Sequence, residues 1–199
     1  MKMPRFKKLK SVNQFTQYAN TYYQCSGLGV PEEYLRTNQV FAIYVQKKMI
    51  GGFVLGSGTS LRTIEYFAAT DNKPGLYENI GPGDTCTEIC CFWIDPQYQN
   101  KTMLNYFIWF CLAIALKRYS KAKVVFGTQS PRLAALYGAT LRSVLIHKDR
   151  VNKKRTFIFR GRKRDSIVGI SQILWYKAKR ILQVRTSQYK VTESKRVIS

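Results

Sequence analysis

The sequence predicts one α/β (α+β) domain in which helices flank a central sheet that is mixed and mainly antiparallel. Its 199 residues suffice for a single ordinary domain, and apolar residues make up 45% of them, enough for a sizeable core. Strand-like and helix-like segments follow each other in mixed order, which is typical of a sheet-and-helix sandwich. We expect the domain to span residues 1–160 and residues 161–199 to form a basic amphipathic C-terminal extension.

The first half of the chain predicts two helices followed by strands. Ser11 can cap a helix that runs to about Gln24, and Pro31 can open a second, short helix. Two β-rich runs joined by Lys47-Lys48 predict a hairpin, and Gly51-Gly52 within it indicates a bulge or a close backbone contact. The strands of this half are predicted at Val40–Gln46, Met49–Leu55, Leu61–Ala68 and Cys86–Ile94.

The second half begins with the strongest helix pattern in the chain, over residues 102–119. It is apolar nearly all round, so we expect it in the core. A short buried strand follows, and then a helix to about Leu141 that Ser130 caps and Pro131 begins. The remaining elements are a hairpin of Val144–Ile146 with Thr156–Phe159 and an amphipathic helix from Ser166 to about Gln183.

Positive charge is concentrated in the second half. The net charge is +22, and residues 101–199 carry 23 basic side chains against 3 acidic ones. Such an excess repels itself unless a partner neutralises it, so we expect nucleic acid or, alternatively, an anionic membrane surface as partner. The side chains expected to contact phosphates bracket the last strand: Lys153, Lys154 and Arg155 before it, and Arg160, Arg162, Lys163 and Arg164 after it.

The two partners make different demands on the residues around that strand. A nucleic acid would use Phe157, Phe159, Trp175 and Tyr176 to stack unpaired bases, although such aromatics more often belong to a core. A membrane surface would take up the apolar stripe of the last helix, which includes Ile167, Ile170, Ile173 and Leu174.

The cysteine pattern and the apolar runs bear on compartment and metals. Five cysteines without framework spacing indicate free buried thiols in a reducing compartment. The chain start lacks the apolar stretch of a signal peptide, and Tyr106–Leu116 is about half the ~20 residues of a membrane span, so we expect a cytoplasmic protein. His147 is the one histidine, in a basic loop where solvation or phosphate contact is its usual role, and no metal site is predicted.

Three motifs carry a resemblance to a known family. The run from Glu88 through Cys90-Cys91-Phe-Trp93-Ile94 to Asp95-Pro96, the Gln99 that follows it, and Ser130-Pro-Arg-Leu-Ala-Ala-Leu-Tyr137 are similar to the core of the GCN5-related N-acetyltransferase (GNAT) superfamily. The resemblance implies a coenzyme A thioester as acyl donor, either acetyl-CoA or another acyl-CoA. In that family glycines let a helix N-terminus approach the pyrophosphate. Thr102 and Leu104 stand in their places and are expected to crowd it, so either the donor binds differently or the site has lost it.

The resemblance also implies roles for particular residues. Glu88 matches the strand where the family places a general base, with a structural ion pair as the alternative. Tyr137 matches a tyrosine that protonates the leaving thiolate, with core packing as the alternative. Cys90 and Cys91 should alternate across the strand, so that only one can reach a cleft, and we favour packing for both. The residues matching the coenzyme site are Trp93, Ile94, Gln99, Asn100, Lys101, Thr102 and Ser130.

Three functions remain open on the sequence alone. The first is a GNAT-like acyltransferase, or a related modifying enzyme, that acts on a DNA base or tRNA held by the basic half. Short strings such as Tyr137-Gly-Ala-Thr140 resemble the phage Mom-type DNA-modification branch. The second is a non-catalytic GNAT-like module that binds a polyanion or a protein, and the third is a membrane-surface acyltransferase.

Overall fold

One seven-stranded sheet organises the part of the chain that the computed structural model describes, namely residues 3–58, 61–65, 80, 86–99, 102–151, 154–175 and 179. The strand order is β1-β2-β3-β4-β5-β7-β6, and neighbours are antiparallel except for β4 and β5. The predicted mixed, mainly antiparallel sheet is confirmed. The strands are β1 Pro4–Lys8, β2 Gln39–Val45, β3 Lys48–Gly58, β4 Cys86–Ile94, β5 Lys123–Thr128, β6 Val144–Val151 and β7 Lys154–Arg162.

Helices cover both faces of the sheet. The helices α1, α2 and α3 pack on one face, where Tyr18, Leu35 and Val54 belong to the buried core. The helices α5, α6 and α7 pack on the other, around Phe53, Phe126 and Leu116. The helices are α1 Val12–Ser26, α2 Glu32–Thr37, α3 at 62–65, α4 Pro96–Gln99, α5 Thr102–Tyr119, α6 Pro131–Thr140 and α7 at 163–175.

The hairpin of β2 and β3 contains the close contact that its glycine pair predicts. A Cβ on Gly52 would lie 2.6 Å from Cε2 of Tyr18 and would also meet the carbonyl oxygen of Phe41. The β2–β3 register shifts between Ile43 and Tyr44, beside the same pair. The strand β1 escaped prediction because its alternate residues Arg5 and Lys7 are exposed charges, as suits the edge of a sheet.

The strand predicted at Leu61–Ala68 is wrong in its described part. Residues 62–65 are helical, and 66–68 lie outside the described residues. The cause is a long-range one, since the backbone N–H groups of Arg62 and Thr63 donate to the carboxylate of Glu88 on β4. A carboxylate at a helix N-terminus satisfies N–H groups that the helix itself leaves unpaired.

The prediction that α5 belongs to the core is confirmed for one face of the helix only. Its inner face packs on the sheet through Leu104, Ile108 and Leu112, but its outer face exposes a row of apolar side chains. A helix that packs on one face of a sheet contacts the sheet with its inner side only. Apolar residues on its outer side stay exposed unless another element covers them. The exposed fractions are 63% for Met103, 53% for Phe110 and 44% for Ile114.

The described part of helix α7 belongs to the core. Its apolar stripe, which the membrane hypothesis would place in a membrane surface, packs on the sheet instead. Ile170 and Ile173 are buried among residues of β5, α5 and α6, and Ile167 packs against the same cluster. The boundary expected after residue 160 falls inside β7, and the described part of the predicted extension is continuous with the domain. Within the described residues, the helices fall short of the length and hydropathy that crossing a membrane demands.

Candidate functional site

A gap opens in the middle of the sheet where β4 and β5 stop pairing. Their parallel register runs from Cys86 opposite Lys123 to Ile89 opposite Phe126. Beyond that pair, β4 continues to Ile94 and β5 to Thr128 without further pairing between them in the described residues. Backbone groups that two adjacent strands would normally share are therefore left facing the gap.

The strand β4 also contains a bulge close to the gap. The register with β3 shifts between Gly52 and Val54, and Cys91 adopts φ +50°, a left-handed conformation that non-glycine residues rarely adopt. The hydroxyl of Tyr18 donates to the Cys91 carbonyl oxygen at 2.8 Å. The bulge is thus held by a side chain that comes from α1.

The bulge overturns the expected alternation of the two adjacent cysteines. Cys90 and Cys91 both pack in the cluster on the α1 and α2 face, whereas a regular strand would send them to opposite faces. Both also line a cavity of about 340 Å³ beside the gap. The other walls of this cavity come from the end of α1 and the loop after it, from Arg62 and Thr63 of α3, and from the last residues of β5.

Glu88 lies on β4 behind the wall of this cavity and is fully buried. Its Oε2 accepts hydrogen bonds from the Tyr34 hydroxyl and the Arg62 backbone N–H, both at 3.0 Å. Its Oε1 accepts from the Thr63 backbone N–H at 2.5 Å. These donors tie β4 to α2 and α3, so the carboxylate has a clear architectural role, while its role as a base stays a prediction.

A polar network connects Glu88 to the cavity. The Tyr34 hydroxyl lies 3.1 Å from Cys90 Sγ, and Arg62 Nη1 donates to Cys91 Sγ at 3.8 Å. Nη2 of Arg62 donates to the Gly29 carbonyl oxygen, which fixes the guanidinium against the loop after α1. Burial raises the pKa of Cys90, whereas a hydrogen bond from Cys90 and the nearby charge of Arg62 lower the pKa of Cys91.

Tyr137 lies on the opposite side of the gap. It is 8% exposed and packs edge-to-face against Phe126, Phe159 and Trp109 at centroid distances of 5.0, 5.9 and 6.3 Å. Burial raises its pKa to about 12, so the hydroxyl keeps its proton at any ordinary pH. It lines a small cavity of about 30 Å³ whose wall shares Ile89, Phe92 and Gly127 with the larger one.

The residues expected to hold coenzyme A are only partly brought together. Trp93 is buried against α1 and meets the Tyr18 ring at 6.0 Å, and Ile94 packs under α5, so neither lines the cavity. Gln99 donates through Nε2 to the Ile94 carbonyl oxygen at 3.1 Å and accepts from Asn105, which ties the end of β4 to the start of α5.

Two other residues expected to hold coenzyme A lie at the starts of helices. Ser130 caps α6 by accepting from the Leu133 N–H at 3.3 Å. Thr102 begins α5, and Asn100 and Lys101 lie outside the described residues. Leu104 is 2% exposed and packs into the core with Ile108, so the expectation that it crowds a phosphate is wrong.

The two basic clusters lie at opposite ends of β7. Arg155 is exposed near the end where β7 and β5 border the gap, since Thr128 pairs with Phe157. Arg162 pairs with Lys123 at the other end, roughly 24 Å away along the strand. There a groove of about 680 Å³ is lined by the apolar side chains of Ala122, Ile167 and Val168 together with Lys117, Lys123, Arg162, Lys163 and Arg164.

The remaining residues expected to contact nucleic acid differ in exposure. Arg160 is half-buried, Lys154 begins β7, and Lys153 lies outside the described residues. Phe157 and Phe159 are buried and therefore unavailable for stacking bases, whereas Trp175 is 73% exposed. Tyr176 lies outside the described residues.

Comparison with known proteins rests on structure. Neither the protein-family models nor the sequences of curated proteins give a match. Among solved structures, FeeM, an N-acyl amino acid synthase from uncultured soil microbes, aligns with TM-score 0.60 at 13% identity over 82% of this chain and 93% of its own. The chain has the GNAT fold.

Two further solved structures share this GNAT fold. The CoA-dependent acyl-homoserine lactone synthase MesI aligns with TM-score 0.60 at 10% identity over 85% of this chain and 95% of its own. The ribosomal-protein-S18-alanine N-acetyltransferase of Escherichia coli aligns with TM-score 0.53 at 11% identity over 80% and 94%. These likenesses support the fold that the motifs predict, while the Mom-type branch stays a prediction.

Three site residues escaped the sequence prediction. Arg62 sits in a segment that reads as a strand, Tyr34 lies on a short helix far from β4 in sequence, and Gly127 follows a short apolar run. No local pattern links them, because it is the pairing of β4 with β3 and β5 that brings them together. The one available signal was the adjacent Cys90-Cys91 pair within a strand.

Proposed function

We propose that this chain is an acyltransferase that moves an acyl group from acetyl-CoA or another acyl-CoA to an amine bound in the cavity beside β4. The observation that carries the proposal is the gap between β4 and β5, which exposes backbone donors between a cavity on one face and Tyr137 on the other. Backbone N–H groups held in this way stabilise the negative charge that develops on a thioester carbonyl oxygen.

The residues near the gap fit a coenzyme A thioester. Leu104 packs into the core with Ile108, so its side chain does not crowd the N-terminus of α5. The N-terminus of this 18-residue helix favours phosphate through its unpaired N–H groups and dipole. When bound, the donor supplies an activated acyl group on a good leaving thiol. Burial raises the pKa of Tyr137 to about 12, so its hydroxyl keeps its proton and can donate a hydrogen bond to the departing thiolate.

Calorimetric titration and a transfer assay test this proposal. Acetyl-CoA and octanoyl-CoA are titrated into the full chain, and release of free coenzyme A is then followed with a panel of primary amines. We expect binding of at least one donor and amine-dependent release. Undetectable binding of both donors at millimolar concentration would contradict the proposal and would favour the non-catalytic module.

We propose that the amine that accepts the acyl group belongs to a nucleic acid, because the second half of the chain carries 23 basic side chains. Arg155 is near the gap and the groove at Arg162 is at the far end of β7, so a bound strand that touches both would run the length of β7. The lining of that groove combines cations with apolar side chains, which suits a phosphate backbone with a base against the apolar part.

Salt-dependent binding tests this choice of acceptor. Anisotropy of a labelled single-stranded oligonucleotide is measured between 50 and 300 mM salt, where log affinity should fall about linearly with log salt. Arg162→Glu with Arg164→Glu should weaken binding and flatten that slope. Arg5→Glu with Lys7→Glu, at two exposed positions of the edge strand β1, is the control with the same change of charge. A flat salt response of the unchanged chain would exclude nucleic acid and leave a small amine as the acceptor.

A further inference from the structure

We propose that Cys91 is a nucleophile that carries the acyl group between the donor and the amine. The proposal rests on the acyl transfer proposed above and adds a covalent step to it. Cys91 lines the 340 Å³ cavity at the point where β4 and β5 separate, so its sulfur lies where a donor entering the gap and an acceptor entering the cavity both come close.

The backbone presents this thiol in an unusual way. A left-handed residue in a strand is strained, and such strain persists only where the surroundings hold it, as Tyr18 does through the Cys91 carbonyl oxygen. Without the bulge, Cys91 would point to the α5 face instead of the cavity. The strained conformation therefore places the thiol on the face of the sheet that carries the cavity.

The neighbours of the thiol stabilise its ionised form. The neighbouring Cys90 and the positive charge of Arg62 lower the pKa of Cys91, and Arg62 Nη1 donates to its sulfur at 3.8 Å. Glu88 opposes these groups with its negative charge, but its oxygens are occupied by Tyr34, Arg62 and Thr63. A thiolate is the reactive form of cysteine, and a cationic neighbour in a partly enclosed site is its usual setting.

The covalent step balances without another reactant. The Cys91 thiolate attacks the acyl carbonyl carbon, a new C–S bond forms, and the bond to the donor sulfur breaks as that sulfur leaves and takes a proton. The neutral amine next attacks the acyl-Cys91 thioester, a C–N bond forms and the Cys91 C–S bond breaks. The amine proton passes to solvent, and Cys91 returns as a thiolate.

Intact-protein mass spectrometry tests the step directly. The full chain is incubated with acetyl-CoA or octanoyl-CoA in the absence of amine and quenched in acid. We expect a mass increase of one acyl group that hydroxylamine removes, mapped to the peptide containing Cys91. Cys91→Ser should lose this hydroxylamine-labile thioester adduct, and Cys25→Ser, a cysteine on α1 away from the cavity, should keep it.

Alkylation by iodoacetamide across pH gives a second readout that needs no donor. The pKa of Cys91 is lowered, so its alkylation should reach half its maximum below the pH typical of a free thiol. Arg62→Met removes the cation but keeps the backbone N–H that Glu88 accepts, and it should move the midpoint up by about one pH unit. Arg62→Lys should restore part of that change.

The outcomes separate the inference from the function on which it rests. Amine acylation without any acyl-Cys91, with full turnover in Cys91→Ala, overturns the nucleophile and leaves the acyltransferase intact. Failure of every donor to bind overturns both. Isotope exchange between free coenzyme A and acetyl-CoA without amine supports the covalent step, because direct transfer cannot produce it.

Discussion

At the scale of single residues, Glu88 shows how a residue can be singled out from the sequence while its role stays a prediction. The sequence singles it out as the acid in an otherwise uncharged strand, and the structure buries it completely. Its three donors come from α2 and α3, which no local pattern connects with β4. A buried carboxylate with such partners is held strongly, and its loss should register first in stability.

Glu88→Gln tests that role. It removes the charge and places an amide N–H₂ among donors, so the free energy of unfolding in urea should fall by about 2 kcal/mol. Tyr34→Phe removes one donor alone and should cost about 1 kcal/mol. A Glu88→Gln variant of unchanged stability that has lost turnover would instead identify Glu88 as the base.

Tyr137→Phe separates chemistry from packing at the other side of the gap. The ring keeps its contacts with Phe126, Phe159 and Trp109, so stability should change little. If the hydroxyl protonates the leaving thiol, kcat should fall about 100-fold while KM stays the same. Steady-state kinetics with acetyl-CoA measure both, with Tyr119→Phe at the far end of α5 as control. Unchanged kcat would leave Tyr137 with packing alone.

At the scale of elements, the sequence predicts single strands and helices better than it predicts how neighbouring strands pair. The bounds predicted for β4 agree with the structure because its run of β-branched, aromatic and Cys residues has sharp ends. The bulge at Cys91 and the end of pairing at Ile89 could not be predicted, since both depend on which strands lie alongside. For the same reason residues 62–65 form a helix although their pattern suits a strand.

The glycine in β3 offers a test at this scale. Gly52→Ala places a methyl group against the Tyr18 ring and the Phe41 carbonyl oxygen, so it should destabilise the fold by about 2 kcal/mol. Gly138 in α6 has no atom within 4 Å of a would-be Cβ, and Gly138→Ala should stabilise by about 0.5 kcal/mol. Thermal unfolding distinguishes the two, and equal effects would refute the close contact.

At the scale of the whole molecule, composition predicts one domain, and the boundary expected after residue 160 falls inside β7. The pattern of α7 is amphipathic whether the helix lies on a membrane or on its own sheet, and only the packing of Ile170 and Ile173 decides between them. Charge is likewise visible in the sequence, which predicts a basic cluster at each end of the last strand, but the pairing of β7 with β5 decides which cluster lies near the gap.

Ile170→Ala measures whether α7 is part of the cooperative fold. The side chain is 1% exposed, so its truncation should lower the free energy of unfolding by about 3 kcal/mol. Val168→Ala on the outer face of the same helix, 40% exposed, should stay within about 0.5 kcal/mol. Urea unfolding of both variants provides the comparison. A small effect of Ile170→Ala would show that α7 does not unfold cooperatively with the domain.

The gap between β4 and β5 has a consequence for how such proteins diverge. The backbone groups that face it belong to the main chain, and their position follows from strand order and from where two parallel neighbours stop pairing. Substitutions that preserve topology leave these groups in place whatever side chains surround them. The fold itself tolerates the replacement of most residues, as identities of 10–13% at TM-scores of 0.53–0.60 illustrate.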